Sequence, residues 1–594
     1  MSTHKASCMA CAGGLEFNSE KPRPAVNLDS WREAALYAVI VLGAITYSFR
    51  LTSFLHAKEA VLHVGLVVCA VLAAIRGRTD CKRVSWLLPL ALGLAWGAVS
   101  GLVVAQVKAR VIEESIRYAA LFALIAVNAD LFADARRRAR IMASLVISAV
   151  IVALLGLIQF FRVAPSLFPE FPGYDQRVYS VFGNQNLFGG YLAIAIPLLT
   201  AHIAADSRIR LLRYAALALL AMGLVLSESR TAWLATVAGM AVCVLWRGPH
   251  RKTTLYALAF MTLGLLCAAL LTWPRPLERI SQTLREDDVG GRARLWFWDG
   301  ALRMIRDHPI AGVGLGNYAY FSPWYQGEAL RGPRGPRHYH NELHTVHAHS
   351  EALELLAETG SPGLLCGLWF LMSLLRFRGR AWSGLAALLV FSCFNAPLHS
   401  APHTLAGLLL AAMLFGKQAA AFPAAPRALS CAPWRWGHVL LAIALAAGFW
   451  WTVYAPSRLL RAAEDVHVAE GDPLALYARA IAHPWPNAQA HEEYGMALLD
   501  AGRADEAYTQ LLKAREGLDT GRLYLLLGSA ALQRSDKDAA RLWLAASLDR
   551  WPANAAAWRM LWALTPVEDR APLAEHATRW GIEESTAVTG ECAE

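Results

Sequence analysis

The sequence predicts an all-α fold: a polytopic helical membrane protein of about 12–13 spans, with a long outward loop and a C-terminal helical-repeat domain. Composition is the first observation behind this. Of 594 residues, 56% are apolar and only 17% are charged, against roughly 25% charged in an ordinary soluble domain. The second is a series of apolar stretches of near-spanning length. The third is the placement of basic residues in alternate loops between them.

The apolar stretches run at 33–49, 58–75, 84–105, 114–128, 139–161, 187–205, 211–227, 230–246, 254–273, 361–376, 381–397, 403–416 and 437–454. A helix crosses about 30 Å of hydrocarbon in roughly 20 such residues. Arg76, Arg78, Lys82 and Arg83 follow the second stretch, and Arg136, Arg137, Arg138 and Arg140 follow the fourth. Arg208, Arg210 and Arg213 follow the sixth, and Arg247, Arg251 and Lys252 the eighth. Arg376, Arg378 and Arg380, then Lys417, Arg427 and Arg435, continue the alternation. By the positive-inside rule these loops are cytoplasmic, so the net charge of +10 orients the chain and does not imply nucleic acid. The polar tail 1–32 is then cytoplasmic and lacks the start of a cleavable signal peptide. An odd number of spans leaves the C-terminal region outside. Ten cysteines, mostly in or beside spans, argue against a disulfide framework, and the single CxxC of Cys8 and Cys11 has no second pair.

Three regions follow: the tail 1–32, a membrane domain 33–455 with its outward loop at about 274–350, and a polar, Ala-rich region 456–594. In the last, Gly495 and Ala507 of "YGMALLDAGRADEA" recur as Gly528 and Ala540 of "LGSAALQRSDKDAA", a spacing of 33. That is close to the roughly 34-residue tetratricopeptide period, with small residues where paired helices pack. Residues 479–490 read as the end of a degenerate preceding unit. No reactive constellation occurs there, so the expected role is a docking platform for a protein partner.

The outward loop holds His308, His338, His340, His344, His347 and His349. It also holds Arg279, Arg285, Arg292, Arg294, Arg303, Arg306, Arg331, Arg334 and Arg337. Such a loop suits an anion, and a phosphate or pyrophosphate matches the guanidinium fork; anionic lipid headgroups are the rival partner. Arg230, in "SESRTAWLA", stands at the outer edge of a span, where deeper placement costs about 2.5–3.5 kcal/mol. It is a functional candidate with Glu228 as a structural partner, and snorkelling is the alternative.

Glu351, Glu354 and Glu358 fall on one helical face, so 349–359 reads as an amphipathic helix at the outer interface, stopped by "GSPG". This puts His349 at its N-terminus, on the same side as Arg230. Histidine, with an ordinary pKa of about 6.5, is the side chain best suited to take a hydroxyl proton near neutrality. His344, His347 and His349 with Glu351 form an alternative zinc set, but there is no HExxH and no second cluster at ligand spacing. No metal and no cofactor are therefore expected. The glycines of "GVGLGNY", 312–318, shape a tight loop. In "FGNQN", Asn186 reads as a helix N-cap or as a contact to sugar or phosphate.

The run "GRARLWFWDGALRMIRDHPIAGVGLGNY", with "HAHSEALELLAETGSPGLL" after it and "FGNQNLFGGYL" and "SESRTAWLA" before it, resembles the O-antigen ligase and polymerase superfamily. The resemblance covers about residues 34–416. It implies a bacterial inner-membrane glycosyltransferase, metal-independent and inverting, taking a glycan from an undecaprenyl-pyrophosphate carrier on the periplasmic side. The acceptor is a lipid, another repeat unit or a protein hydroxyl, according to the member. Carried across the motifs, His349 is the catalytic histidine, while Arg230 and Arg292 bind the pyrophosphate, with Trp296 completing R-x-x-x-W. Ser350 follows His349 where the family usually has asparagine. The partners implied are the lipid-linked glycan, an acceptor and membrane lipid, with the repeats periplasmic and open to a protein partner. A membrane transporter is the reading from another class, and it predicts paired ionisable residues near the bilayer midplane.

Overall fold

A computed structural model of the chain describes residues 28–77, 81–168, 177–203, 209–246, 251–283, 288–333, 335, 345–419, 435–580 and 582. It is helical throughout, with no strand among the described residues, as the apolar periodicity predicts. The helices are α1 (Leu28–Ile45), α2 (Phe54–Arg76), α3 (Leu88–Val104), α4 (Lys108–Val127), α5 (Ala135–Phe160), α6 (Gln185–His202), α7 (Arg210–Leu226), α8 (Arg230–Trp246) and α9 (Arg251–Thr272). There follow α10 (Arg275–Thr283), α11 (Val289–Asp307), α12 (Tyr318–Arg331), α13 (Glu351–Leu374), α14 (Ala381–Ser392), α15 (Ala401–Ala419) and α16 (Arg435–Phe449). The C-terminal helices are α17 (Ala455–Val468), α18 (Leu474–Ile481), α19 (Ala488–Asp500), α20 (Ala504–Ala514), α21 (Gly521–Gln533), α22 (Lys537–Arg550), α23 (Ala555–Leu564) and α24 (Arg570–Thr578).

Each apolar stretch of the sequence falls on a helix of its own, α1 to α9 and α13 to α16. Among the described residues six helical segments are long and apolar enough to cross a membrane, and three shorter apolar helices accompany them. The chain is a multi-pass membrane protein. The remaining helices fall short of spanning composition for visible reasons: α1 opens with Asp29, Arg32 and Glu33, and α4 carries Glu113, Glu114 and Arg117.

Those charges are paired. At one end of the bundle Arg32, 1% exposed, reaches Asp130 at 2.6 Å, Arg76 reaches Asp29 at 2.9 Å, and Arg140 grips both oxygens of Glu33 at 2.7 and 2.9 Å. A buried cation persists only with such partners, because removing one partner of a buried pair costs roughly 3–5 kcal/mol. The network joins the starts of α1 and α5 to the ends of α2 and α4.

The long loop at 274–350 is largely helical among its described residues. In α11 the buried residues Ala293, Trp296, Phe297, Gly300, Ala301 and Met304 follow a 3.6-residue period, an amphipathic signal diluted in the sequence by its arginines. His338, His340 and His344, with Arg285, Arg334 and Arg337, lie outside the described residues, as does the Cys8–Cys11 pair.

The expected amphipathic helix at 349–359 differs from the fold. α13 runs on through Gly360, which has φ 65° and kinks it. Its glutamates turn inward, Glu354 at 2% and Glu358 at 5% exposure. The glycine loop supplies the reason: Val313 N and Gly314 N donate to the carbonyls of Ala357 and Glu358, each at 2.9 Å, and Ser361 N donates to Pro309 O. Gly314, at φ 99°, packs so tightly on Ala105 that a Cβ would lie 2.6 Å from the alanine methyl, a place only glycine fills. Tyr318 N also donates to Glu358 at 3.1 Å. Loop and span are therefore tied together at the kink.

The C-terminal helices form a body with its own core, in which Tyr477, Leu498, Leu511 and Leu527 are buried. α16 passes through a π-helical turn at Trp450–Tyr454 into α17. The 33-residue recurrence has a structural counterpart: a Cβ on Gly495 would meet Leu511 at 2.6 Å, and one on Gly528 would meet Leu544 at 2.9 Å. This body docks on two places. Thr52 N donates to Ser457, and Trp485 Nε1 donates to Glu113 at 2.6 Å. On the other side, Gly327 of α12 lies flat against the backbone of Asp549 and Arg550, and Arg550 covers Trp324 at 4.7 Å. These contacts fall at the end of the bundle opposite the ion network.

Candidate functional site

Arg230 opens α8 directly after the polar run Ser227–Ser229, so its guanidinium emerges at a helix start. It donates to Asp288 Oδ1 at 2.6 Å, where Glu228 was the expected partner. Glu228, with φ 50°, instead lies 3.9 Å from Arg279 and 4.0 Å from Arg275. Asp288 begins the turn into α11, and its side chain is held below the usual carboxylate range: burial pushes upward, but Arg230 outweighs it.

On α11, one turn apart, Arg292 and Trp296 share a face. Trp296 is buried and donates to Gln326 O at 2.9 Å, so it anchors α11 to α12. Arg292 is half-buried at the start of the helix. The arginine drawn furthest into the site is Arg294, which sequence reasoning counted among the loop cations without singling out. Its Nε donates to Phe394 O at 3.0 Å and its Nη1 to Gly290 O at 3.1 Å. Burial and then Arg230 lower its pKa, and burial, Arg177 and Arg230 do the same to Arg279. Four arginines, Arg177, Arg230, Arg279 and Arg294, thus share a neighbourhood with two carboxylates, Asp288 and Glu228. Such a guanidinium cluster suits a phosphate or pyrophosphate.

His349 sits immediately before α13 with φ 51°, a left-handed conformation that histidine adopts more readily than most side chains. Its ring stacks on Phe297 at 5.6 Å, and its Nδ1 is buried with no hydrogen-bond partner among the described residues. Burial, followed by the charges of Arg294 and His347, lowers its pKa to about 4. Ser350 takes the N-cap position of α13 but makes no side-chain cap hydrogen bond.

The upstream motif is joined to this site. Asn184, not Asn186, caps α6, accepting from the backbone of Asn186 and Leu187. The Asn186 side chain accepts from Ser229 Oγ at 2.9 Å, and Asn395 donates to Thr231 at 2.8 Å. The amides therefore brace the start of α8, and Arg230 with it.

A second group lies two residues away. His347 Nδ1 and His399 Nε2 both donate to Glu354 Oε1, at 2.8 and 2.9 Å, while Ala348 N donates to Oε2 at 2.9 Å. Burial opposes a proton on His347, but Glu354 outweighs it and raises the pKa; on His399 burial prevails and the pKa falls. Ligand atoms of these three residues lie within 4.8 Å of one another, a spacing a metal could use. Arg117 Nη2, however, donates to His399 Nδ1 at 3.2 Å, which leaves the proton on Nε2, the nitrogen a cation would need. The donor set thus fits a hydrogen-bonded relay better than a metal centre. Glu354 and His399 were not expected in any site, because 45 residues of sequence separate them.

Arg230, Asp288, Arg294 and His349 lie in one continuous stretch of chain that also carries the glycine loop and the kinked span. Residues 215–368 match the O-antigen ligase family model. No curated protein matches the chain. The matched segment contains every site residue named above except Arg117, Arg177, Asn184, Asn186, Leu187, Phe394, Asn395 and His399. It ends before the C-terminal body, and its match supports the O-antigen ligase superfamily and glycan transfer in general.

Proposed function

We propose that the chain transfers a glycan from an undecaprenyl-pyrophosphate carrier to an acceptor hydroxyl at the periplasmic face of the bacterial inner membrane. The observation that carries this reading is the cluster of Arg177, Arg230, Arg279 and Arg294 beside the buried, unpartnered Nδ1 of His349, within the O-antigen ligase segment. The positive-inside assignment puts the ion-paired end of the bundle in the cytoplasm, so the site and the C-terminal helices are periplasmic.

In the transfer, the acceptor oxygen bonds to the anomeric carbon while the bond from that carbon to the pyrophosphate oxygen breaks. The electron pair leaves with undecaprenyl pyrophosphate, and the acceptor's proton passes to His349. Arg230, Arg292 and Arg294 hold the charge that builds on the leaving group, the role in which positioned donors contribute most. His349 starts neutral, as a proton acceptor must, and the arriving pyrophosphate raises its basicity by opposing the charge of Arg294. A single displacement of this kind inverts the anomeric centre and needs no nucleotide or metal.

The test is reconstitution of the full chain in lipid with a labelled undecaprenyl-pyrophosphate glycan. Arg230→Ala and His349→Ala are expected to abolish transfer while inserting normally, and wild-type rates in both variants would refute the reading. Restoration of chelator-inhibited transfer by zinc would overturn the metal-independent step.

A further inference from the structure

We propose that the turn between α14 and α15, residues 394–399, is a positioning element that holds the arginines and the histidine of the site in register, with Asn395 serving Arg230 and His399 serving His349. This rests on the glycan-transfer reading and names further residues that the reaction needs, all of them beyond the matched segment 215–368.

Four groups of the turn each reach a different part of the site. Phe394 O accepts from Arg294 Nε at 3.0 Å, and Asn395 Nδ2 donates to Thr231 Oγ1, beside Arg230, at 2.8 Å. Leu398 N donates to Glu351 Oε1 at 2.5 Å, and His399 Nε2 donates to Glu354 Oε1 at 2.9 Å, both on the first turn of α13. The first half of the turn thus holds the arginines, and the second half holds the helix that follows His349. The backbone between two helices makes this possible, because its terminal carbonyl and N–H groups have no partner within a helix. Phe394 lies just past the end of α14, and Leu398 lies in the short 3-10 turn Pro397–His399 that precedes α15.

The hold of His399 on His349 runs through one carboxylate. Glu354 Oε2 accepts from Ala348 N at 2.9 Å, and its Oε1 accepts from His347 Nδ1 at 2.8 Å, so both residues before His349 are tied to it. His349 has φ 51°, a conformation that a residue other than glycine keeps only where its surroundings enforce it. Glu354 is aimed in turn by His399, whose ring is fixed from its other side by Arg117, Nη2 donating to Nδ1 at 3.2 Å. Without the Nε2 donor of His399, Glu354 loses one of the groups that direct it at Ala348.

The turn is itself pinned. Asn395 is 2% exposed and Ser400 fully buried. Thr404 Oγ1 donates to Leu398 O at 2.7 Å, and His403 Nε2 donates to Leu187 O, at the start of α6, at 3.0 Å. A misplacement of about 1 Å costs on the order of 100-fold in rate, so a fixed turn that sets both sides of the site governs the reaction through the residues it holds.

The experiment uses the full chain in lipid nanodiscs and reads three quantities: transfer kinetics with the lipid-linked glycan, calorimetric affinity for inorganic pyrophosphate, and amide exchange over 345–350. His399→Leu is expected to lower kcat about 100-fold, to speed exchange at Ala348, and to leave pyrophosphate affinity within about twofold of wild type. His399→Gln, whose amide can donate to Glu354 and accept from Arg117, is expected to recover transfer to within about fivefold of wild type. Asn395→Leu is expected to weaken pyrophosphate about tenfold with exchange at Ala348 unchanged, and Thr231→Val, which removes the other end of the same hydrogen bond, to do likewise. Wild-type kcat in His399→Leu, or wild-type pyrophosphate affinity in both Asn395→Leu and Thr231→Val, overturns the proposal. So does a His399→Gln protein no faster than His399→Leu, which would make the ring an acid or base, and so does a parallel loss of rate and affinity in all variants, which would make the turn ordinary packing. Wild-type transfer in His349→Ala overturns the glycan-transfer reading instead, and pyrophosphate affinity and amide exchange then still decide whether the turn positions the two sides.

Discussion

Asp288 Oδ1 lies 2.6 Å from Arg230 Nη2, so a carboxylate from the turn before α11 already occupies the arginine that opens α8. The pair is partly exposed, 18% and 17%, and an arriving pyrophosphate must share Arg230 with it. Asp288→Asn removes the competing charge and retains an acceptor for the guanidinium. A partly exposed charge of this kind is worth about 1 kcal/mol, which converts to roughly fivefold tighter binding of inorganic pyrophosphate. Calorimetric titration of the two proteins checks this; equal or weaker affinity in Asp288→Asn contradicts it.

Arg294 is expected to matter as much as Arg230. Its two carbonyl contacts, Phe394 O and Gly290 O, use separate nitrogens of one rigid fork, which lysine lacks. Arg294→Ala and Arg294→Lys should both slow transfer about 100- to 1000-fold, the scale on which a positioned donor acts. Arg306→Ala, 70% exposed and paired only with the neighbouring Asp307 among the described contacts, should stay within about twofold of wild type. Steady-state rates on the reconstituted protein separate the three.

The pH response of His349 has a definite sign. Its pKa in the fold, about 4, lies below the ordinary 6.5, so protonation favours the unfolded chain. The stability that the neutral ring contributes is fully present above about pH 6.5 and is lost as pH falls towards 4. The kcat/KM for transfer, which reports the protein before the pyrophosphate arrives, should accordingly hold down to about pH 5, with its acid limb nearer 4 than 6.5. Melting temperature against pH should flatten in His349→Gln over that window. An acid limb centred at 6.5 in the wild type contradicts the assignment.

Gly327 should be intolerant of a side chain. A Cβ there would sit 2.1 Å from Asp549 O and 2.9 Å from Arg550 Cα. Gly327→Val is therefore expected to separate α12 from α22, exposing the facing surfaces of these two helices to protease while leaving the membrane helices inserted. Limited proteolysis in nanodiscs reads the outcome, and a wild-type digestion pattern contradicts it.

The spans were legible because each is a run of apolar residues with few charges, a property of local sequence. The position of Arg230 at a helix start was legible for the same reason. Arg294 was not distinguishable from Arg303 or Arg306 by sequence, since all three lie on α11; the fold separates them by aiming Arg294 at Gly290 and Phe394, and Arg303 at Glu328. The inward turn of Glu354 was hidden because its partners come from before α13 and from the turn before α15. The glutamate face has the same period whether it meets water or histidine. The glycines of 312–316 announced a tight loop but gave no sign that its backbone would bind the kink at Gly360.

The ion-paired end of the bundle bears on how the chain enters its membrane. Arg76, Arg137 and Arg140 are among the cations that mark one side in the sequence, and in the finished protein they are joined to Asp29, Glu33 and Asp130. During insertion, before α5 has met α1, those arginines face lipid headgroups and water unpaired and act as retention signals. Once the helices assemble, the same side chains become the clasp between them. On the positive-inside reading, orientation is set by charges that the assembled bundle then holds in ion pairs, and replacing Asp130 or Glu33 is expected to loosen the assembled bundle without reversing it.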